Sequence, residues 1–216
     1  MALKQAFAPL VDLIYPPRCP LCGEAIATQQ GLCTACWSTL ELPADSHCQD
    51  GITAATLYND TARQLVLNFK HGRKIALAGM MARQIAARLG ELEGDWLAVP
   101  VPLHRVRLWQ RGYNQSALIA RELCKARALT LVVDALVRTK RTPSLGGLGR
   151  EERARVLDGA IAANPARRAQ LAGAKVLLVD DVLTSGATSN ACIGALRKAG
   201  AGEVRVACFS RVAQHR

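Results

Sequence analysis

From Ile52 onward the hydrophobic positions fall into short continuous runs separated by helical stripes. Thr53 to Tyr58 reads as a strand and Thr61 to Phe69 as a helix. Ile75 to Leu89 is a clearer helix, with apolar residues at 75, 77, 78, 81, 82, 85, 86 and 89. Trp96 to Val101 predicts a buried strand ending at Pro102, and Gln115 to Ala128 a further helix. Leu131 to Val137 reads as one strand, Thr139 to Arg150 as a loop, Glu151 to Leu157 as a short helix and Gly159 to Ala163 as a short strand. The last third is the most regular. Lys175 to Val179 predicts a strand, Asp180 to Gly186 a loop, Ala187 to Ala199 a helix and Glu203 to Ser210 a strand. Strand, helix and strand in that order form a βαβ unit, so the expected class is α/β, a parallel sheet flanked by helices.

Residues 1–50 have a different character. Ala2 to Ile14 is too interrupted by Pro9 and Asp12 for a signal peptide and reads as a short amphipathic helix packed on the body of the protein. No apolar run approaches the roughly 20 residues needed to span a bilayer, and the expected location is cytoplasmic. Five of the eight cysteines lie in this segment. Cys19-Pro-Leu-Cys22 and Cys33-Thr-Ala-Cys36 have metal-knuckle spacing, and four thiolates leave no ligand position for water. Cys19, Cys22, Cys33 and Cys36 are therefore expected to hold a structural zinc ion. A redox pair is the runner-up, and whether His47 and Cys48 join the site stays open. Two units follow: an N-terminal helix with a four-cysteine zinc knuckle over 1–50, and an α/β domain over 51–216.

Charge narrows the partners. Lys and Arg number 28 against 17 acidic residues, a net charge of +11, which favours a polyanion: nucleic acid, a phosphorylated metabolite or an anionic membrane surface.

The segment Val176 to Thr188 makes that specific. Four consecutive apolar residues precede Asp180 and Asp181, which fall at the carboxyl end of a buried strand, where open α/β sheets place ligands. Thr184, Ser185 and Gly186 then lead into a helix at Ala187 and Thr188. Small and hydroxyl-bearing residues at a helix N-terminus let amide donors converge on a phosphate. The paired carboxylates accept hydrogen bonds from vicinal hydroxyls, so a ribose 5′-phosphate satisfies both halves of the loop. Neither a G-x-x-x-x-G-K-[ST] nor a strand-linked G-x-G-x-x-G is present.

This segment resembles the phosphoribosyl-pyrophosphate (PRPP) signature of type I phosphoribosyltransferases. The resemblance implies that Asp180 and Asp181 contact the ribose hydroxyls and serve catalysis, and that Thr184, Ser185, Gly186, Ala187 and Thr188 hold the 5′-phosphate. A diphosphate needs a second cradle, with magnesium bridging its oxygens. Val101 and Pro102, followed by Arg105 and Arg111, are the candidates. Val99-Pro-Val-Pro-Leu-His104, Arg111-Gly-Tyr-Asn-Gln115, Phe69-Lys-His-Gly72 and the two cysteine pairs together are similar to the ComF/GntX family, across nearly the whole chain. Leu145, Val156 and the short knuckle depart from the family pattern, so no acceptor contacts are carried over to residues 141–156.

Membership implies a phosphoribosyltransferase-type domain behind a zinc knuckle, PRPP with magnesium, and a link to natural competence and the use of external DNA. The first function expected is transfer of phosphoribosyl to an unnamed acceptor. The second is single-stranded DNA handling that retains the PRPP cradle. The third is docking to a competence helicase or the DNA-uptake machinery, with peripheral placement at the inner face of the membrane.

Overall fold

The computed structural model describes residues 16–28, 31–44, 51–72, 74–140, 152, 155–156 and 159–213. The expected helix over 2–14, the His47–Cys48 pair and most of the segment from 141 to 158 lie outside them.

Five strands form one parallel sheet. They are β1 (Ile52–Leu57), β2 (Trp96–Pro100), β3 (Leu129–Leu131), β6 (Lys175–Leu183) and β7 (Glu203–Arg211), in the order β1-β7-β6-β2-β3. A separate antiparallel pair joins β4 (Leu136–Arg138) to β5 (Ile161–Ala163). The helices are α1 (Thr34–Ser38), α2 (Asp60–His71), α3 (Leu77–Arg88), α4 (Arg105–Arg111), α5 (Gln115–Ala126), α6 (Arg168–Leu171) and α7 (Ala187–Lys198). None among the described residues is long and apolar enough to cross a membrane.

Strand alternation divides the core. Leu177 and Val179 of β6 pack with Phe69, Met81, Ile85 and Leu123 of α2, α3 and α5. Val176 and Leu178 face the other way, onto Cys192 and Leu196 of α7 and onto Leu136 and Ile161 of the antiparallel pair. Cys192 and Cys208 are fully buried core thiols whose ionisation burial opposes.

Three expectations change. The strand expected to end at Val179 runs on to Leu183, so Asp180 and Asp181 sit inside it rather than in a loop. Its β2 neighbour stops first: Val101 donates its amide to the Val179 carbonyl at 2.9 Å, while β7 continues alongside with Cys208, Ser210 and Arg211 opposite Asp180, Val182 and Leu183. The expected single strand over 131–137 is two, because the chain turns between Val132 and Ala135. Arg105 to Arg111, expected only as a basic stretch, is a helix.

Candidate functional site

The site is built where β6 loses one neighbour. Because side chains alternate along a strand, the two adjacent carboxylates turn to opposite faces of the sheet. Asp181 meets Lys70 at the end of α2, with Oδ2 to Nζ 2.9 Å. Asp180 accepts at Oδ1 from the Ser116 hydroxyl at 2.9 Å and from the Asp181 amide at 2.9 Å. Burial, then the charge of Asp181, pushes the Asp180 carboxyl up to about 7, with Lys70 and Ser116 opposing.

Beyond β6 the chain passes through Thr184 and Ser185 to Gly186, which caps α7 at φ 76, a left-handed conformation that favours glycine. No side chain caps that helix and no acidic residue stands in its first turn. The N–H groups of the first turn, at Ala187 and Thr188, lack intrahelical acceptors, so the turn suits an external anion.

The candidates for the second cradle are placed unequally around the site. Val101 and Pro102 are buried, and the Val101 backbone is fully engaged: its amide bonds Val179 and its carbonyl accepts from Asn114 Nδ2 at 3.0 Å. Pro102 has no amide hydrogen. Arg111 does reach the centre. Its Nη1 donates to Gln115 Oε1 at 2.8 Å, and burial lowers its pKa against the opposing pull of Asp181. Arg105 starts the same helix, is exposed, and lines a different cavity.

Two cavities open near the site, each lined by a residue that interacts with one carboxylate, Lys70 with Asp181 and Arg138 with Asp180. One, about 370 Å³, lies between Lys70 and His71 of α2 and Arg107, Gln110 and Arg111 of α4. The other, about 720 Å³, lies between the Pro102–Arg105 turn, the start of α5 and the β4 strand. Arg138 lines the second and feels the charge of Asp180, while burial and Arg107 lower its pKa. Ser116 and Arg138 escape the sequence reading, since each is a common residue type brought in from a distant segment, whereas Arg107 belongs to the basic stretch already expected at the second cradle. Lys70 has a signal only through its Phe69-Lys-His-Gly72 context.

The knuckle is fastened to the same helix as Lys70. Pro20 carbonyl accepts from Asn68 Nδ2 at 3.1 Å and from Lys74 Nζ at 2.8 Å, and Asn59 Nδ2 donates to Thr39 carbonyl at 2.7 Å. The ligand sulfurs of Cys19, Cys22, Cys33 and Cys36 all lie within 4.8 Å of one another, with Cys22 and Cys33 at 3.5 Å. Zinc–sulfur bonds of about 2.3 Å in a tetrahedron place sulfurs about 3.8 Å apart, so the cluster fits zinc. Burial works against ionising Cys19, but the amides of Cys22, Cys33 and Leu21 outweigh it and bring that thiol down to about 6. Cys36 is pushed up by burial and by its sulfur neighbours. Four thiolates packed this closely need a cation among them, and a zinc ion there would tie the Cys19 turn to α1 as a structural element.

Comparison with known proteins follows the same division. A double zinc ribbon domain matches residues 10–51, and a phosphoribosyl transferase domain matches residues 111–216. Competence protein F of Haemophilus influenzae is 27% identical over 217 residues, spanning 88% of this chain and 94% of that protein. The DNA utilization protein YhgH of Escherichia coli (strain K12) is 29% identical over 214 residues, spanning 89% of each. The protein of the same name from Salmonella typhimurium is 27% identical over 209 residues, again spanning 89% of each.

Proposed function

We infer, from the premise that this chain belongs to the ComF family, that it binds PRPP with magnesium at the end of β6 and transfers the phosphoribosyl group. One observation carries the reading: two adjacent carboxylates on opposite faces of β6 near its end, followed after the Thr184–Gly186 turn by a helix whose N-terminus no side chain caps. A ribose placed there has carboxylate acceptors for its hydroxyls, and its 5′-phosphate meets the Thr184–Thr188 amides and hydroxyls. Arg111, with Lys70 and Arg107 around the smaller cavity, lies where the diphosphate of such a ligand extends. Magnesium would be held there mainly by the ligand's own oxygens, hard donors that suit it, and would supply charge for the departing diphosphate. Positioning and charge then dominate the chemistry: cations receive the departing diphosphate while carboxylates face the sugar.

The unit division at residue 50 belongs to this reading, the knuckle serving as a zinc-held brace on α2. The relatives named for competence and DNA utilization support a role in the use of external DNA. A second reading, contact with single-stranded DNA, is favoured by the net charge of +11 and by Trp109, 86% exposed on the Arg-rich α4.

Calorimetric titration with PRPP and magnesium tests the first reading. Saturable binding by the wild type is expected, weakened at least tenfold in Asp180→Asn/Asp181→Asn. Absence of saturable heat with the folded wild type would remove it.

A further inference from the structure

The last turn of α2 is anchored twice. Phe69 is buried in the core, and its carbonyl accepts the Tyr113 hydroxyl from the turn after α4. From the knuckle, the Pro20 carbonyl accepts both Asn68 Nδ2 at 3.1 Å and Lys74 Nζ at 2.8 Å. Gly72 closes the helix between those two donors. Its amide donates to the Asn68 carbonyl at 2.9 Å, and a Cβ there would stand 2.7 Å from that oxygen. The turn that brings Lys74 back beside Asn68 is thus closed by a residue without a side chain.

Lys70 lies between the two anchors. Its ammonium meets Asp181 at 2.9 Å and lines the 370 Å³ cavity with His71, Arg107, Gln110 and Arg111. Asp181 is buried, so its carboxylate depends on that cation for compensation. Any shift of this turn changes both the charge offered to the cavity and the partner of Asp181.

Pro20 differs from the knuckle's other fastenings. Asn59 donates to Thr39 and Arg88 to Pro43, both beyond the last of the four cysteines. Pro20 stands between Cys19 and Cys22, inside a turn whose two sulfurs gather with those of Cys33 and Cys36. Four thiolates repel one another unless a cation lies among them, so the place of the Pro20 carbonyl depends on the metal.

We propose that the Pro20 turn, when zinc holds its cysteines, positions Lys70 through Asn68 and Lys74 and thereby sets the affinity of the charged cavity for a diphosphate. This rests on the phosphoribosyl reading above and deepens it with a regulation of the same site. Zinc and PRPP are then coupled ligands: the factor that zinc adds to PRPP affinity is the factor that PRPP with magnesium adds to zinc affinity. The sheet need not change, because Asp180 and Asp181 stand on β6. Asn68 is a positioning residue, acting on the ligand only through Lys70.

The test compares full-length wild type, Asn68→Ala, Lys74→Met and Lys70→Gln, each zinc-loaded and zinc-stripped. Amide exchange follows Phe69 to Gly72 and, as a check on folding, β6 and β7. Calorimetry measures PRPP with magnesium and, separately, inorganic pyrophosphate with magnesium. Competition with a chromophoric chelator measures zinc with and without PRPP. In wild type, stripping should speed exchange at Phe69 to Gly72 at least tenfold and leave β6 and β7 protected. It should weaken PRPP at least fivefold, and saturating PRPP should tighten zinc by the same factor. Asn68→Ala should weaken PRPP in the zinc-loaded protein alone and so shrink that factor. Lys74→Met, at an exposed side chain that tolerates substitution, should act in the same direction. Lys70→Gln should remove the factor from both titrations, which also rules out direct capture of zinc by PRPP.

Exchange at Phe69 to Gly72 that ignores zinc overturns the proposal, as does a PRPP–zinc factor that survives in Lys70→Gln. Loss of protection in β6 and β7 on stripping overturns it too, since zinc then holds the whole fold and not one side chain. Zinc-dependent exchange and pyrophosphate binding without PRPP binding keep the proposal and sink the phosphoribosyl reading instead. Binding of neither anion by the folded, zinc-loaded wild type overturns both.

Discussion

The cysteine knuckle and the end of β6 are both read from a dozen or so residues, but they are held in opposite ways. Asp180 and Asp181 stand on a strand with Val176 to Val179 fully buried and hydrogen-bonded neighbours on one or both sides. Their geometry comes from the sheet and exists before any ligand arrives. Among its described residues the knuckle has one isolated bridge, Arg18 to Ala25, a five-residue helix, and only Cys19, Cys33 and Leu40 buried. Four sulfurs gather there without a ladder to hold them. A preformed site costs little to organise when its ligand binds, whereas a metal-held one derives most of its stability from the ion.

Chelation should separate the two regions most strongly. Structural zinc contributes roughly 10–16 kcal/mol of binding free energy in small finger peptides. Stripping the metal, or Cys36→Ser, should therefore abolish slow amide exchange over 16–44 while β6 and β7 keep theirs. Simultaneous loss in both regions would show that the sheet depends on the knuckle.

The pH response should be smaller and confined to the sheet. Asp180 has its pKa raised from 3.8 to about 7, so between those values the folded state holds a proton that the unfolded state has released. The folded state binds more protons in that window, and stability from this group falls as pH rises from about 4 to about 7. Asp180→Asn should flatten that part of a urea-denaturation pH profile. An unchanged slope would place the carboxyl's pKa in the ordinary range.

The smallest effect lies between α2 and the turn that follows α4. Tyr113, beside α4, donates its hydroxyl to the Phe69 carbonyl next to Lys70, and the two rings lie 6.1 Å apart. Tyr113→Phe should cost about 0.5–1.5 kcal/mol in urea denaturation, the net worth of one hydrogen bond. A loss well above about 3 kcal/mol, the upper end for leaving a buried polar group unsatisfied, would mean that the α2–α4 contact supports the whole core.

What the sequence reveals follows the same contrast. The buried run Val176 to Val179 and the stripes of α3 and α5 announce themselves, because burial dictates residue type at each position. The cysteine pairs are legible because thiolate spacing is set by the metal. The α4 helix is not, since Arg105, Arg107, Gln110 and Arg111 leave too narrow an apolar stripe. Leu131 to Val137 misleads because an apolar run with one aspartate reads as a single strand, although Asp134 sits in the turn and pairs with Arg167. Lys70, Ser116 and Arg138 approach the carboxylates from three separate segments of the chain, a convergence that only the sheet order creates. The continuation of β6 past Val179 depends on β7 running alongside, which no local pattern records.

Hydrogen exchange of the zinc-loaded protein, with and without PRPP and magnesium, addresses the central claim most directly. The account predicts new protection in Thr184 to Asn190 and in the segments around Lys70 and Arg107 to Arg111, with little change over Cys19 to Cys36. Protection confined to the knuckle, or none at saturating PRPP, would contradict it.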